Sequence, residues 1–386
     1  MKTLIFTLLF VCSFAHAKYE NAIVFPGGGL QTAMFLGMLE GAELAGVKPD
    51  IILSSCGGSV AATIAHAIEN SERRKNFVES KEFYSFLKTL RLTDNAGIVP
   101  LLSTTLKMRY FIYLSDSVPD FFSNFIMDVP QEMVIPGITK SFDSTSQIKA
   151  LMVSARLRFS PSDIGTLAYE DRKLFTEVYF TDQQTASLLE GFTSPIFDEF
   201  KDSAISKYTE VHTDLTTTQA MRASIADPYY ISPFRHGESY FVTGAVDLYP
   251  IEAAHRVAEK VIFPFASEFD TIVEQAGIQS SFRYDNNKRL RKVTDQQADV
   301  WVDFSEVSKM YSISGFNPQP SITGVEMTIP ESYDQFVRKV REQWNWGKQK
   351  ALEAFAAPIG SKAHIRNMNK DNASLTLRRK YNRLEN

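Results

Sequence analysis

The sequence predicts an α/β fold with a mainly parallel sheet, on three observations. A short apolar strand at 21–25 (NAIVF) runs into the turn Pro26-Gly27-Gly28-Gly29-Leu30 and then into an apolar helical stretch at 30–45. A second apolar strand at 51–53 meets the small-residue turn Ser54-Ser55-Cys56-Gly57-Gly58-Ser59 and a second helical stretch at 60–68. Later segments at 174–180, 240–242, 260–265 and 300–304 alternate or run apolar as strands do. Two buried strands joined by a crossover helix make a parallel βαβ unit.

The first turn opens a helix directly after a strand. Glycines there let backbone approach a ligand, and a helix N-terminus favours developing negative charge. A dinucleotide site needs G-x-G-x-x-G, but Thr32 stands where its last glycine belongs. The second turn is a strand-to-helix elbow of the kind that presents a nucleophile.

Composition bounds the rest. The chain has 386 residues and a formal charge of −4, which argues against nucleic acid as the main partner. Residues 1–17 read as a cleaved secretory signal: Lys2, an apolar run, then Ala15-His16-Ala17. The expected destination is the periplasm or the outside of the cell. Cleavage leaves Cys56 as the one cysteine, so no internal disulfide is expected. The stretch at about 71–160 is aromatic-rich and punctuated by prolines. It reads as an insertion that buries its own core or serves as a lid. An amphipathic helix is expected at 332–355. The tail from Lys362 carries seven Lys or Arg against two acids, a solvated tail or a contact to an anionic surface. No H-E-x-x-H or C-x-x-C occurs, so no metal and no cofactor are expected.

These motifs resemble those of the patatin-like phospholipase family. The family pattern is strand, G-G-G-x-R/K-G, helix, strand, G-x-S-x-G, and later a D-G-G or D-G-A turn. The segment Ala220-Met221-Arg222-Ala223-Ser224-Ile225-Ala226-Asp227-Pro228-Tyr229-Tyr230 is similar to the family's stretch before its aspartate. The resemblance covers about 21–253. It implies a three-layer α/β/α domain, here at 18–267, followed by a C-terminal extension at 268–386. It also implies hydrolysis of lipid acyl esters at a membrane surface, with serine as nucleophile, aspartate as its partner and the glycine turn, Gly27, Gly28 and Gly29, as oxyanion donors.

The chain departs from that pattern at each motif. Gln31 and Thr32 replace the basic residue and glycine of the first turn, and Thr243 occupies the aspartate position in Thr243-Gly244-Ala245. At the elbow two registers compete. Gly57-Gly58-Ser59-Val60-Ala61 makes Ser59 the nucleophile. Counting without gaps from the glycine turn instead puts Cys56 there, with the strand ending at the elbow as the geometry requires. Cys56 is the preferred assignment and Ser59 the alternative. A thiol beside a helix N-terminus is a good nucleophile, but it needs a proton acceptor. Asp247 is the alternative acid, Asp227 reads as a helix terminator before Pro228, and His236 is the histidine nearest the site in sequence. Two functions follow: a divergent acyl hydrolase, or an inactive relative that binds a lipid or protein.

Overall fold

The computed structural model describes residues 17–27, 31–97, 103, 106, 117–123, 125–135, 137–167, 172–269, 274–307, 317–321, 324–328 and 330–361. The expected signal segment, Gly28, Gly29, the aromatic run 110–114 and the basic tail lie outside the described residues.

The glycine turn and elbow do lie between strands and helices. Strand β1 (Tyr19–Phe25) leads to helix α1 (Thr32–Leu44), and β2 (Ile51–Ser55) leads to α2 (Gly58–Ala67). Strands β3 (Lys149–Leu157), β4 (Phe175–Phe180) and β5 (Glu210–His212) follow. The hairpin β6 (Phe234–His236) and β7 (Ser239–Val242), then β8 (Ala258–Phe265) and β9 (Val300–Asp303), complete one nine-stranded sheet. Its main order is β9-β8-β1-β2-β3-β4-β5. The pairs from β9 across to β3 are all parallel, β3 with β4 is antiparallel, and β4 with β5 is parallel again.

Side chains alternate across the sheet, and each face has its own core. Ile23, Phe25, Ile52, Ala150 and Met152 point to one side, where α1, α2, α3 (Thr217–Ser224) and α6 (Tyr333–Ala356) pack. Ala22, Val24, Leu53, Leu151 and Val153 point to the other, covered by α4 (Ile251–Val257) and α5 (Asn286–Asp295). The result is the three-layer α/β/α arrangement the sequence predicts.

Two sequence boundaries shift. Strand β3 falls inside the stretch read as an insertion, yet it is central, parallel to β2 from Ile51↔Lys149 to Ser55↔Val153. Its sequence KALMVSARL is rich in Ala, Leu and Met, so local propensity hides a strand that burial on both faces enforces. The aromatic cluster at Phe83 and Tyr84 does not bury a core of its own. Tyr84 packs on Phe336 of α6 with ring centroids 4.9 Å apart, and both residues join the common core.

Helix α6 lies against α1 at backbone distance. A Cβ on Gly37 would sit 2.1 Å from the Trp344 carbonyl oxygen, and one on Gly347 would sit 2.0 Å from the Met34 oxygen. The Trp344 indole N–H donates to Glu40 Oε2 at 2.5 Å, a handle the buried ring requires. Phe25, Phe35 and Phe304 stack in succession, and Trp346 packs on Phe304 at a tilt of 57°, so a chain of ring contacts runs from β1 to α6.

Gly347→Val is therefore expected to cost about 3 kcal/mol of stability by overpacking, read as a lowered midpoint in urea unfolding. Gly46→Asn is the control: Gly46 has a left-handed backbone (φ 83°) and open surroundings, which Asn tolerates. An unchanged midpoint for Gly347→Val would refute the helix contact.

Candidate functional site

Cys56 stands directly after β2 with φ 45°, in the left-handed region. A non-glycine residue holds that conformation only when its surroundings over-determine it. Three contacts do so. The Cys56 amide donates to Ser224 Oγ at 2.9 Å, and Ser224 Oγ itself donates to the Val153 carbonyl at 2.6 Å. A Cβ on Gly244 would lie 2.5 Å from the Cys56 amide nitrogen, so no other residue fits there. A Cβ on Gly58 would lie 2.1 Å from the Phe25 carbonyl oxygen, so the elbow helix also starts pressed against the end of β1. Cys56 is left at the tip of the turn, 8 % exposed as a whole residue.

Sheet topology brings the remaining parts. Strand β2 stops at Ser55, and β7 continues alongside β3 in its place, antiparallel, with Ala155 opposite Val242. Ser154 Oγ donates to the Val242 carbonyl at 2.8 Å and fixes that register. The turn after β7 thereby delivers Thr243 and Gly244 to the elbow.

The group facing the thiol is Asp227. Cys56 Sγ lies 3.4 Å from Asp227 Oδ2 and 3.6 Å from Oδ1. The Thr243 hydroxyl donates to Asp227 Oδ1 and accepts from the Ala245 amide at 2.8 Å. The residue keeps some contact with solvent, but protein encloses its carboxyl. Burial pushes its pKa up to about 6, and the hydrogen bonds from Thr243 and Cys56 only partly offset this. The loop beyond it is tight. Tyr230 N donates back to the Asp227 carbonyl at 3.0 Å, and Tyr229 is buried with φ 68°, its ring edge-on to Phe121 at 5.2 Å. The thiol–carboxylate pair thus has one strained residue within it, Cys56, and a second, Tyr229, two positions beyond Asp227.

The other expected residues separate from it. Ser59 is fully buried in the first turn of α2, its hydroxyl bonded to Ser224 Oγ at 2.9 Å and to Ser54 Oγ at 3.3 Å. Asp247 belongs to an ion cluster. Its Oδ2 lies 3.0 Å from Arg289 Nη2, and that buried guanidinium also meets Glu252 and Glu199. Close by, burial pushes Glu177 up to about 8. The Gly27 amide donates to the Leu248 carbonyl at 3.4 Å, and a Cβ there would strike Leu248. Gly57, the residue after the tip, caps the N-terminus of α2. His66 bonds the Ile148 carbonyl and Ser144, and His236 pairs with Asp214 at 3.3 Å.

Asp227, Ser224 and Gly244 are thus central where the sequence reading named none of them for the site. The signal lay in the A-x-R-A-S-x-A-D-P segment. Arg222 spends its guanidinium on the carbonyls of Val129, Pro130 and Ser232, which locks the loop that places Asp227.

A family model, described as patatin-like phospholipase, matches residues 23–255, more than half of the chain. The chain belongs to the patatin-like phospholipase family. Among solved structures, it matches the crystal structure of VipD from Legionella pneumophila at 10% identity, over 88% of this chain and 67% of VipD, with a TM-score of 0.33. That likeness is too loose to add to the family assignment. No curated protein matches the chain. Among the described residues, no His, Cys, Asp and Glu cluster could hold a metal ion, and no helix is long and apolar enough to cross a membrane.

The raised pKa of Asp227 has a sign for stability. A carboxyl whose folded pKa lies above its unfolded value binds more protons when folded, so it weakens the fold as pH rises from about 4 to about 6. Asp227→Asn is therefore expected to melt higher than the parent at pH 8, with the gap closing toward pH 4. Differential scanning calorimetry at the two pH values checks this. A lower melting temperature for the variant at pH 8 would contradict it.

Proposed function

We propose that this protein hydrolyses lipid acyl esters through a Cys56–Asp227 dyad. The observation that carries the reading is the Cys56 thiol, at the strained tip of the elbow, 3.4 Å from a carboxylate held by Thr243. The family's aspartate position holds Thr243, and a carboxylate sixteen residues upstream reaches the same place.

In this reading Asp227 takes the thiol proton as Sγ attacks the ester carbonyl. The oxyanion forms at the N-terminus of α2, beside the amide of Gly57, where the helix dipole favours it. The C–O bond breaks, the alcohol leaves with the proton from Asp227, and the acyl group remains on sulfur. Water then attacks, Asp227 takes its proton, and the acid departs as Cys56 regains its hydrogen. Gly28 and Gly29 remain the proposed oxyanion donors of the glycine turn. Gly27 makes a less direct donor, because its amide already meets Leu248.

The alternative is a relative that binds an acyl chain without turnover. The low exposure of Cys56 and the engaged Gly27 amide favour it. We further infer export by cleavage after Ala17, to the periplasm or beyond, and action as a peripheral protein at a lipid surface. Strand β1 begins at Tyr19, so cleavage leaves it whole. Intact-mass analysis of the secreted or periplasmic protein is expected to give Lys18 as its first residue.

The activity test is an esterase assay with a short activated acyl ester. Cys56→Ala is expected to abolish turnover, and Asp227→Asn to lower kcat/KM by roughly 10²–10⁴, the contribution of a general base. Ser59→Ala is expected to keep the parental mechanism. The parental rate is expected to rise with pH through about 6, as Asp227 ionises. Turnover indifferent to Cys56→Ala would overturn the dyad, and absence of turnover from folded protein would overturn it and favour the binder.

A further inference from the structure

We infer that Tyr284 and Arg289 are positioning residues for the Cys56–Asp227 pair. Both lie beyond the family-matched span 23–255, and both brace the turn that holds Thr243 against Asp227. The inference rests on the proposed dyad and extends it to residues that act at one remove.

The turn after β7 is short and is used at both ends. At its start the Thr243 hydroxyl donates to Asp227 Oδ1, and Gly244 lies against the Cys56 amide. A single helical turn, Gly244–Asp247, then leads to its far end. With so little chain between them, a shift at Asp247 carries through to Thr243.

The far end is pinned from α5 and the residue pair before it. Arg289 Nε and Nη2 donate to Asp247 Oδ1 and Oδ2 at 3.3 and 3.0 Å. A fork on both oxygens sets direction as well as distance. The Tyr284 hydroxyl shares its proton between the Ala245 and Val246 carbonyls, at 3.2 and 3.1 Å. Ser55, directly before Cys56, donates to the Leu248 carbonyl at 2.9 Å and closes the loop back to the elbow. Tyr284, Arg289, Asp247, Ala245 and Val246 are all buried.

Packing alone does not call for this arrangement. Apolar side chains of similar volume fill a buried space at least as well as ion pairs do. Here one guanidinium meets Asp247, Glu252 of α4 and Glu199, while Glu177 of β4 feels its charge and Lys292 of α5 reaches Glu199 at 3.9 Å. What the fork and the phenol add to such a cluster is one fixed orientation of the turn. That orientation has a chemical readout. The bond from Thr243 lowers the proton affinity of Asp227, so a slackened turn raises it.

The test uses the full chain, Tyr284→Phe, Arg289→Lys and Leu290→Ala, with p-nitrophenyl hexanoate as substrate. Tyr284→Phe deletes one oxygen, and Arg289→Lys keeps the charge but loses the fork. Each is expected to lower kcat roughly tenfold with KM within about twofold, the signature of misplaced groups. Each is also expected to move the acid limb of the pH–rate profile upward from about 6. Leu290, buried beside Arg289 on the same helix, is the control for lost stability. Leu290→Ala is expected to melt lower yet keep the parental kcat and pH midpoint. Parental kcat and midpoint in Tyr284→Phe and Arg289→Lys would overturn the inference, as would an equal shift in Leu290→Ala. An infrared titration of the Asp227 carboxyl, taken as the difference between each protein and its Asp227→Asn counterpart, reads the same shift without turnover. A folded parent that turns over nothing would therefore sink the dyad alone. The positioning would then stand or fall on whether the infrared midpoint rises in Tyr284→Phe.

Discussion

The site depends on the clamp that fixes the Cys56 backbone. Ser224 Oγ joins two strands and a helix at one atom: it accepts from the Cys56 amide and from Ser59, and it donates to the Val153 carbonyl. Gly244 closes the other side by coming so near the Cys56 amide that any Cβ would collide. A left-handed cysteine costs on the order of 1–3 kcal/mol, so it persists only because both sides agree. Everything chemical follows from this. The thiol faces Asp227 because its backbone cannot relax, and Thr243 reaches Asp227 because Gly244 holds the turn against the elbow.

The polar groups buried near the sheet divide into two kinds. Arg289 gathers Asp247, Glu252 and Glu199, and that buried guanidinium repays part of the desolvation of its partners. Among the described residues no such cation pairs with Asp227; a hydroxyl and a thiol meet it instead, and burial governs its proton affinity. A carboxylate balanced by a cation is a structural tie. One balanced by a thiol and a hydroxyl is able to exchange a proton.

Much of the fold was legible in the sequence because its signals are local. The glycine turn, the elbow and the apolar runs at 21–25 and 51–53 each combine a strand, a turn and a helix within a few residues. Counting from the glycine turn puts Cys56 rather than Ser59 at the tip; in the structure Cys56 has the left-handed φ, and Ser59 is buried in α2. Strand β3 escaped because helix-favouring residues fill a fully buried central strand. Asp227 escaped for a different reason. Read along the chain it ends a helix before Pro228, and only the antiparallel entry of β7, which carries Thr243 past it, shows what its carboxylate faces. Asp247 looked nearer in sequence, yet Arg289, forty-two residues away, had already claimed it.

The interlock between α1 and α6 ties the two ends of the fold together in time as well as in space. The glycine turn leads into α1, and Gly37 and Gly41 on that helix receive the backbone and side chains of Trp344, Lys348 and Ala351. These contacts span some three hundred positions of chain, so their closure is among the late and entropically demanding steps of folding. Until α6 arrives, α1 presents bare glycines and an unmatched apolar face. A nascent chain therefore completes the packing of α1 only when synthesis has passed the residues of α6. The outer face of α1 is thus left uncovered in any fragment that stops short of α6.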